Sequence, residues 1–229
     1  MKHQKRLSAP KHYPIERKNG KYVVVGKGPH KEEDGIPVTV LLREVLGYAE
    51  TAAEVSQILN EENVLVNGKV VKEPGYVVGF MDSISIDKVG EEIRVLLDKN
   101  GLVFKPVEDV EKRVFKVLDK RMVKGGAVQL NLDAGENLLV EEDDYSTKSS
   151  IILDLESKDV EKHIPFEEGN LAYISGGAHI GSKAKIKEII QLSGSQDNKV
   201  VLVDDSGEEF ETVEKYVFMV GEDETEVEL

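Results

Sequence analysis

The chain contains no cysteine, which excludes disulfides, thiol catalysis and cysteine-ligated zinc. No apolar run approaches ~18 residues, and the start of the chain lacks the apolar core of a signal peptide. A soluble, cytosolic protein with no membrane partner is therefore expected. Histidine is scarce: past the first 31 residues only His163 and His179 occur, and neither has a nucleophilic-triad context. No His/Asp/Glu grouping has metal-ligand spacing. The run Glu141-Glu142-Asp143-Asp144 offers oxygens to a hard cation, but without EF-hand spacing such a run is more often a solvated loop. Gly176-Gly177-Ala178-His179-Ile180-Gly181-Ser182-Lys183 imitates a phosphate-binding loop. That loop requires Gly-Lys-Ser/Thr, with lysine on the terminal phosphates and the hydroxyl on magnesium. Here serine precedes lysine, and no βαβ pattern surrounds it. Nothing in these residues suggests turnover, and ATP binding is not expected.

What is abundant is charge, and it is unevenly placed. Charged residues make up 32% of the chain, above the usual share of about 25%. The net charge is −14. Yet residues 1–31 carry nine lysines and arginines against one acid, Glu16, so that segment is +8 and the remainder is −22. A uniformly acidic protein has no solubility reason to collect cations at one end. A protein lying on a polyphosphate does, since each lysine or arginine set against a phosphate releases condensed counterions. A disordered solvated tail is the alternative, but the cations are interleaved with His3, His12, His30, Tyr13 and Tyr22. The acids spread over almost every later segment. They suit either an acidic partner-binding protein or a host with a salt-rich cytoplasm, and their even spread favours the second.

The length, 229 residues, suffices for one large domain or two to three small ones, and 40% apolar residues allow modest cores. Pro10, Pro14 and Pro29 with Gly20, Gly26 and Gly28 disfavour helix in the leading segment, so an extended arm is expected, with a short strand near Tyr22-Val23-Val24-Val25. Val38, Leu41, Leu42 and Val45 form one helical stripe, stopped at Gly47. Thr51-Ala52-Ala53-Glu54 has capping-box form, and Val55, Ile58 and Leu59 continue the inward face of a second helix. Val64-Leu65-Val66, a two-residue Asn67-Gly68 turn, and Lys69-Val70-Val71 predict a hairpin. Pro74-Gly75 turns the chain into Asp82–Ile86, which alternates as a half-buried strand would. Past Glu91 the pattern is short strands: Ile93–Leu97 and Leu102–Phe104 about a Lys99-Asn100-Gly101 turn, then Val128–Leu132 and Ser150–Leu155. Leu171–Ile190 and Val200–Val220, with Asp204-Asp205-Ser206-Gly207 as a turn, suit a small antiparallel barrel. The end, Glu222–Leu229, is acidic.

RNA binding is the function these residues support. Arg43 projects from the first helix, and Lys69 and Lys72 come from the hairpin and its exit. Lys183, Lys185 and Lys187 alternate along one strand and so share a face. A lone lysine is usually just solvated. Collected on an acidic chain, these point to contact. The candidate RNA contacts are Lys2, His3, Lys5, Arg6, Lys11, His12, Arg17, Lys18 and His30 in the leading segment, Arg43, Asn67, Lys69 and Lys72 in the module, and His179, Lys183 and Lys185 near the end.

The whole chain resembles the archaeal and eukaryotic small-subunit ribosomal protein family S4e. Lys5-Arg6-Leu7-Ser8-Ala9-Pro10-Lys11-His12 looks like the family's arm, and Gly28-Pro29-His30 is similar to its next landmark. Val64-Leu65-Val66-Asn67-Gly68-Lys69-Val70 with Gly79-Phe80-Met81-Asp82-Ser83-Ile84-Ser85-Ile86 resembles the S4-type RNA-binding domain. Gly169-Asn170-Leu171 and Gly176–Gly181 look like a KOW motif in an SH3-like barrel. The resemblance implies an α+β multidomain protein: a basic arm (1–37), an S4-type module of two helices and a hairpin (38–90), a central β-rich domain (91–168), a KOW barrel (169–221) and an acidic tail (222–229). It implies a structural role on small-subunit ribosomal RNA beside other small-subunit proteins, bound to ribosomes in the cytoplasm, with no catalysis, no cofactor, no metal and no small-molecule substrate. An RNA-modifying enzyme, a transcription-associated KOW factor or an acidic protein-interaction module are the alternatives. Two departures stand out. Thr51–Glu62 contains no lysine or arginine, where S4-type domains commonly place them, and the C-terminal end is acidic.

Overall fold

The computed structural model describes residues 3–108, 110–194 and 196–229, and the chain forms two compact units, residues 1–96 with 100–110 and residues 97–99 with 111–229. Both are rich in β-structure with few helices.

In the first unit the predicted apolar stripe is a helical turn, Val38–Val40, that runs on as a π-turn over Leu41–Val45. Leu46 N–H bonds back five residues to Leu41 O, and Gly47, at φ +70°, ends the helix. The second helix, Ala52–Asn60, starts at the expected capping box. Thr51 Oγ1 accepts from Glu54 N–H, and the Glu54 carboxylate accepts from Thr51 N–H and Glu50 N–H. These bonds hold the Glu54 carboxyl below the ordinary carboxylate range, the bond from Glu50 N–H contributing most. Strands Val64–Val66 and Lys69–Val70 form the predicted hairpin, with Asn67 and Gly68 at φ +52° and +72°.

The sheet does not stop at Ile86. Its order is Lys69–Val70, Val64–Val66, Ser83–Ile86, Glu91–Asp98, Gly101–Pro106. Thus the first two strands of the segment expected to open a central domain extend the module's own sheet. Strand Ser83–Ile86 would otherwise be an unpaired edge, yet Ser83, Ile84 and Ile86 are buried, and Glu91–Asp98 supplies the missing partner.

The leading segment also departs from a free extended arm. Gln4–Lys5 pairs antiparallel with Tyr22–Val23, and Ala9, Tyr13 and Ile15 are buried in the same core as Val38, Leu41 and Leu42. These apolar side chains, spaced among the cations, pin the segment to the core by removing their surface from water. Burial, with the nearby Glu32 carboxylate, pushes the Tyr13 phenol well above its ordinary pKa.

The second unit holds two five-stranded antiparallel sheets. One has the order Asn137–Val140, Val128–Leu132, Lys112–Met122, Ser150–Asp154, Val160–Ile164. The other has the order Glu209–Val213, Lys199–Asp204, Lys183–Ile190, Leu171–Ile174, Val217–Gly221. Strand Lys112–Met122 is the centre of the first sheet and was not legible in the sequence. Its Arg113 is fully buried with the guanidinium 4.3 Å from the Phe115 ring, and a bulge beside Leu118 turns that side chain to solvent. Both break the alternation by which a strand is recognised.

Lys116, on that strand, sends Nζ to Val217 O at 2.6 Å. Burial pushes its pKa down to about 8 from the ordinary 10.5, against the opposing pull of Asp133 and Glu214. Between those two pH values the unfolded chain binds the extra proton, so this group makes stability rise with pH there; below about 8 it imposes a constant cost. The relief amounts to at most about 3 kcal/mol. Urea denaturation from pH 7 to 10.5 is expected to show this rise in the wild type and its absence in Lys116→Met. Parallel pH profiles for the two proteins would show that the ammonium is not held in a desolvated site.

Candidate nucleic-acid interface

Two arginines organise the leading segment from within. Arg17 donates through Nη2 to Pro10 O at 2.7 Å and through Nη1 to Ala9 O. Arg6 donates through Nε to Tyr22 O at 3.2 Å and through Nη1 to Glu16 O at 3.0 Å. Such bonds satisfy carbonyls that this loop-rich stretch cannot pair in a sheet. Lys2 lies outside the described residues.

Several candidate contacts turn inward. His12 Nε2 is 2.8 Å from Gly35 O. His30 packs on Gly79, where an added Cβ would lie 2.5 Å from the imidazole Nδ1. Its side chain is 13% exposed, and Nε2 is 2.9 Å from Asp82 Oδ2, within ion-pair distance but off the line of a good hydrogen bond. Asn67 is buried. It donates through Nδ2 to Asp82 Oδ1 at 2.8 Å and accepts from Ser83 N–H at 3.0 Å. The fold gives these groups internal partners that the sequence does not reveal. Arg17, His12 and Asn67 bond within the protein, and His30 lies buried against Asp82.

Other groups of the leading segment stay outward. Lys5, Lys11, Lys18 and Lys31 are exposed, and none has an ion-pair partner among the described residues. His3 leans on Tyr22 with ring centres 5.2 Å apart, and Lys21 Nζ stands 5.3 Å from the same ring. Tyr22 is 47% exposed. The sequence marked it through its place among cations, but it was not among the candidate contacts. Arg43 donates through Nε to Glu50 O at 3.2 Å and places Nη2 3.6 Å from Glu44. Arg6 and Arg43, far apart in sequence, line one cavity of about 270 Å³.

Elsewhere the cations are largely matched by acids. Lys72 pairs with Glu62 at 2.6 Å, Lys185 with Asp223 at 2.7 Å, and Lys187 with Glu209. Lys69 is exposed on its hairpin and Lys183 half-buried on its strand; both also interact within the protein. His179 is exposed and stacks on Phe210 with ring centres 4.1 Å apart. The helix Ala52–Asn60 presents Glu54 and Gln57 to solvent, with Glu61 just past its end, so it repels a phosphate backbone. Among the described residues no group of three or more potential ligands is placed to hold a metal.

Family models match in three places. Residues 1–33 match the RS4NT (NUC023) domain, 39–84 the S4 domain, and 89–160 the ribosomal family S4e. The small ribosomal subunit protein eS4 of Methanocaldococcus jannaschii is 38% identical, covering 100% of this chain and 97% of that protein. Its counterpart from Archaeoglobus fulgidus is 42% identical, covering 98% and 95%. The chain belongs to the ribosomal S4e family. A further member, from Haloarcula marismortui, is 40% identical over 97% of each chain. The crystal structure of the 30S ribosomal protein S4e from Thermoplasma acidophilum superposes with a TM-score of 0.69 at 26% identity, covering 82% of this chain and 95% of that one. For the S4e family the 1–33 match coincides with the stretch that packs Ala9, Tyr13 and Ile15 into the first unit. The RNA-modifying-enzyme alternative finds no support among these relatives.

Proposed function

We propose that the chain is a structural constituent of the small ribosomal subunit that binds and stabilises its ribosomal RNA, without catalysis. The identity of 38–42%, along nearly the whole length, to proteins named small ribosomal subunit protein eS4 carries this reading. The charge layout supports it: Lys5, Lys11, Lys18 and Lys31 are exposed without acidic partners among the described residues, on a chain whose other lysines are widely ion-paired. RNA contact then proceeds by phosphate attraction and shape more than by base reading. The acidic helix Ala52–Asn60 faces away from RNA, and the leading segment with the Arg43 edge takes its place.

The finer assignments belong to the same proposal. The sheet from Leu171 to Gly221 is a KOW-bearing SH3-like barrel, with Gly176–Gly181 in the loop between its first two strands, and residues 111–168 are the central domain. Partners are small-subunit ribosomal RNA and neighbouring small-subunit proteins, and the location is the cytoplasmic ribosome. No described helix is long and apolar enough to cross a membrane. The test is sedimentation of the tagged chain with small ribosomal subunits after a high-salt wash. Retention is expected; a chain that leaves the particles, or never joins them, overturns the proposal.

A further inference from the structure

The cavity shared by the leading segment and the first helix has a composition that specifies a ligand. Its walls include Val24 and Val40, its rim carries Tyr22, and its polar groups include Arg6, Arg43 and Glu44. At about 270 Å³ it falls just under the range of drug-sized pockets, about 300–1,000 Å³, and suits one small planar group rather than a peptide or a stacked pair. The arginines are held by their internal bonds to Tyr22 O, Glu16 O and Glu50 O. Arg6 Nη2 and Arg43 Nη1 have no hydrogen-bond partner among the described residues, so each keeps a donor for a phosphate or a base oxygen. Apolar walls beside Tyr22, whose ring already meets His3 and Lys21, offer surface to the face of an unstacked base.

Glu44 narrows the choice. It is the one carboxylate lining the cavity among the described residues, its side chain is 26% exposed, and its Oε1 lies 3.6 Å from Arg43 Nη2, within ion-pair but beyond hydrogen-bond range. A carboxylate only accepts hydrogen bonds, and two adjacent N–H donors satisfy both its oxygens. Guanine presents such a pair, N1–H and the N2 amino group, and its O6 and N7 accept from arginine. Uracil presents a single N–H between two carbonyls, which a carboxylate repels. We infer that this cavity receives one unstacked guanosine of the bound RNA. The inference rests on the reading of the chain as a ribosomal-RNA-binding protein and adds to it a base-specific site.

The test uses the full chain and fluorescein-labelled hexaribonucleotides UUGUUU, UUAUUU, UUCUUU and UUUUUU, followed by anisotropy. UUGUUU is expected to bind about tenfold or more tighter than UUUUUU. Glu44→Gln, nearly isosteric, is expected to flatten that preference. Ala52→Leu adds bulk at the cavity wall on an exposed first helical position and is expected to weaken UUGUUU about tenfold, as is Tyr22→Ala. Glu142→Gln, an exposed carboxylate outside the cavity, serves as control and should leave the preference intact. Equal affinity for the four hexamers, or variants that bind UUGUUU like the wild type, overturns the site. Whole small-subunit RNA, titrated in parallel, separates the two readings. If the wild type binds it without discriminating among hexamers, the guanosine site alone fails; if the wild type does not bind it, the proposed function fails as well.

Discussion

Replacing Asp82 with alanine is expected to destabilise the protein by about 3–5 kcal/mol. Asp82 is fully buried, and each of its oxygens is engaged: Oδ1 accepts from Asn67 Nδ2 and Oδ2 from Gly79 N–H, both at 2.8 Å, with His30 Nε2 2.9 Å from Oδ2. Truncation leaves these donors buried without an acceptor, which costs more than the bonds themselves contribute. A domain's whole stability is about 5–15 kcal/mol, so the variant should sit near the threshold of folding. Asp82→Asn keeps one acceptor oxygen and should lose less, about 1–3 kcal/mol. Urea denaturation measures both. A loss below about 1 kcal/mol for the alanine variant would mean that the first unit does not depend on this network. Asn67→Ala should behave in the same way, lowering stability while leaving the salt dependence of RNA binding unchanged.

Neutralising the outward lysines is expected to have the largest effect on binding. The variant carrying glutamine at Lys5, Lys11, Lys18, Lys21 and Lys31 should bind small-subunit ribosomal RNA about 10²–10⁴-fold more weakly near 0.1 M salt. Each phosphate contact contributes about 0.7–0.9 to the slope of log affinity against log salt, so the slope should flatten by about 3–5. All five lysines are exposed, so folding stability should change little. Deleting residues 1–31 is the blunter experiment. It also removes Ala9, Tyr13 and Ile15 from the core, and a loss of binding could then follow from unfolding. If the five-fold variant binds with wild-type affinity and slope, the leading segment is not a principal RNA contact.

Local signals were read correctly where their causes are local. The Thr51–Glu54 capping box and the Asn67-Gly68 turn depend on residues within three positions of each other, and both stand where the pattern placed them. Strand Lys112–Met122 is invisible in the sequence because Arg113 is buried, Lys116 is half-buried, and a bulge shifts the register beside Leu118. The continuation of the first sheet through Gly101–Pro106 was also hidden, since a strand's run of residues does not say which edge it will cover.

Family membership, the cationic lead on an anionic chain, and the turns and caps were determined by the amino-acid sequence alone, because composition, motif order and short-range hydrogen bonding need no knowledge of packing. Only the tertiary structure decided which cations remain available. Arg17 and His12 bond inward, His30 packs against Asp82, Lys5, Lys11 and Lys18 face outward, and Arg6 meets Arg43 and Tyr22 around one cavity. A cation's partner is whatever acceptor packing brings within about 3 Å, and that acceptor can lie anywhere along the chain.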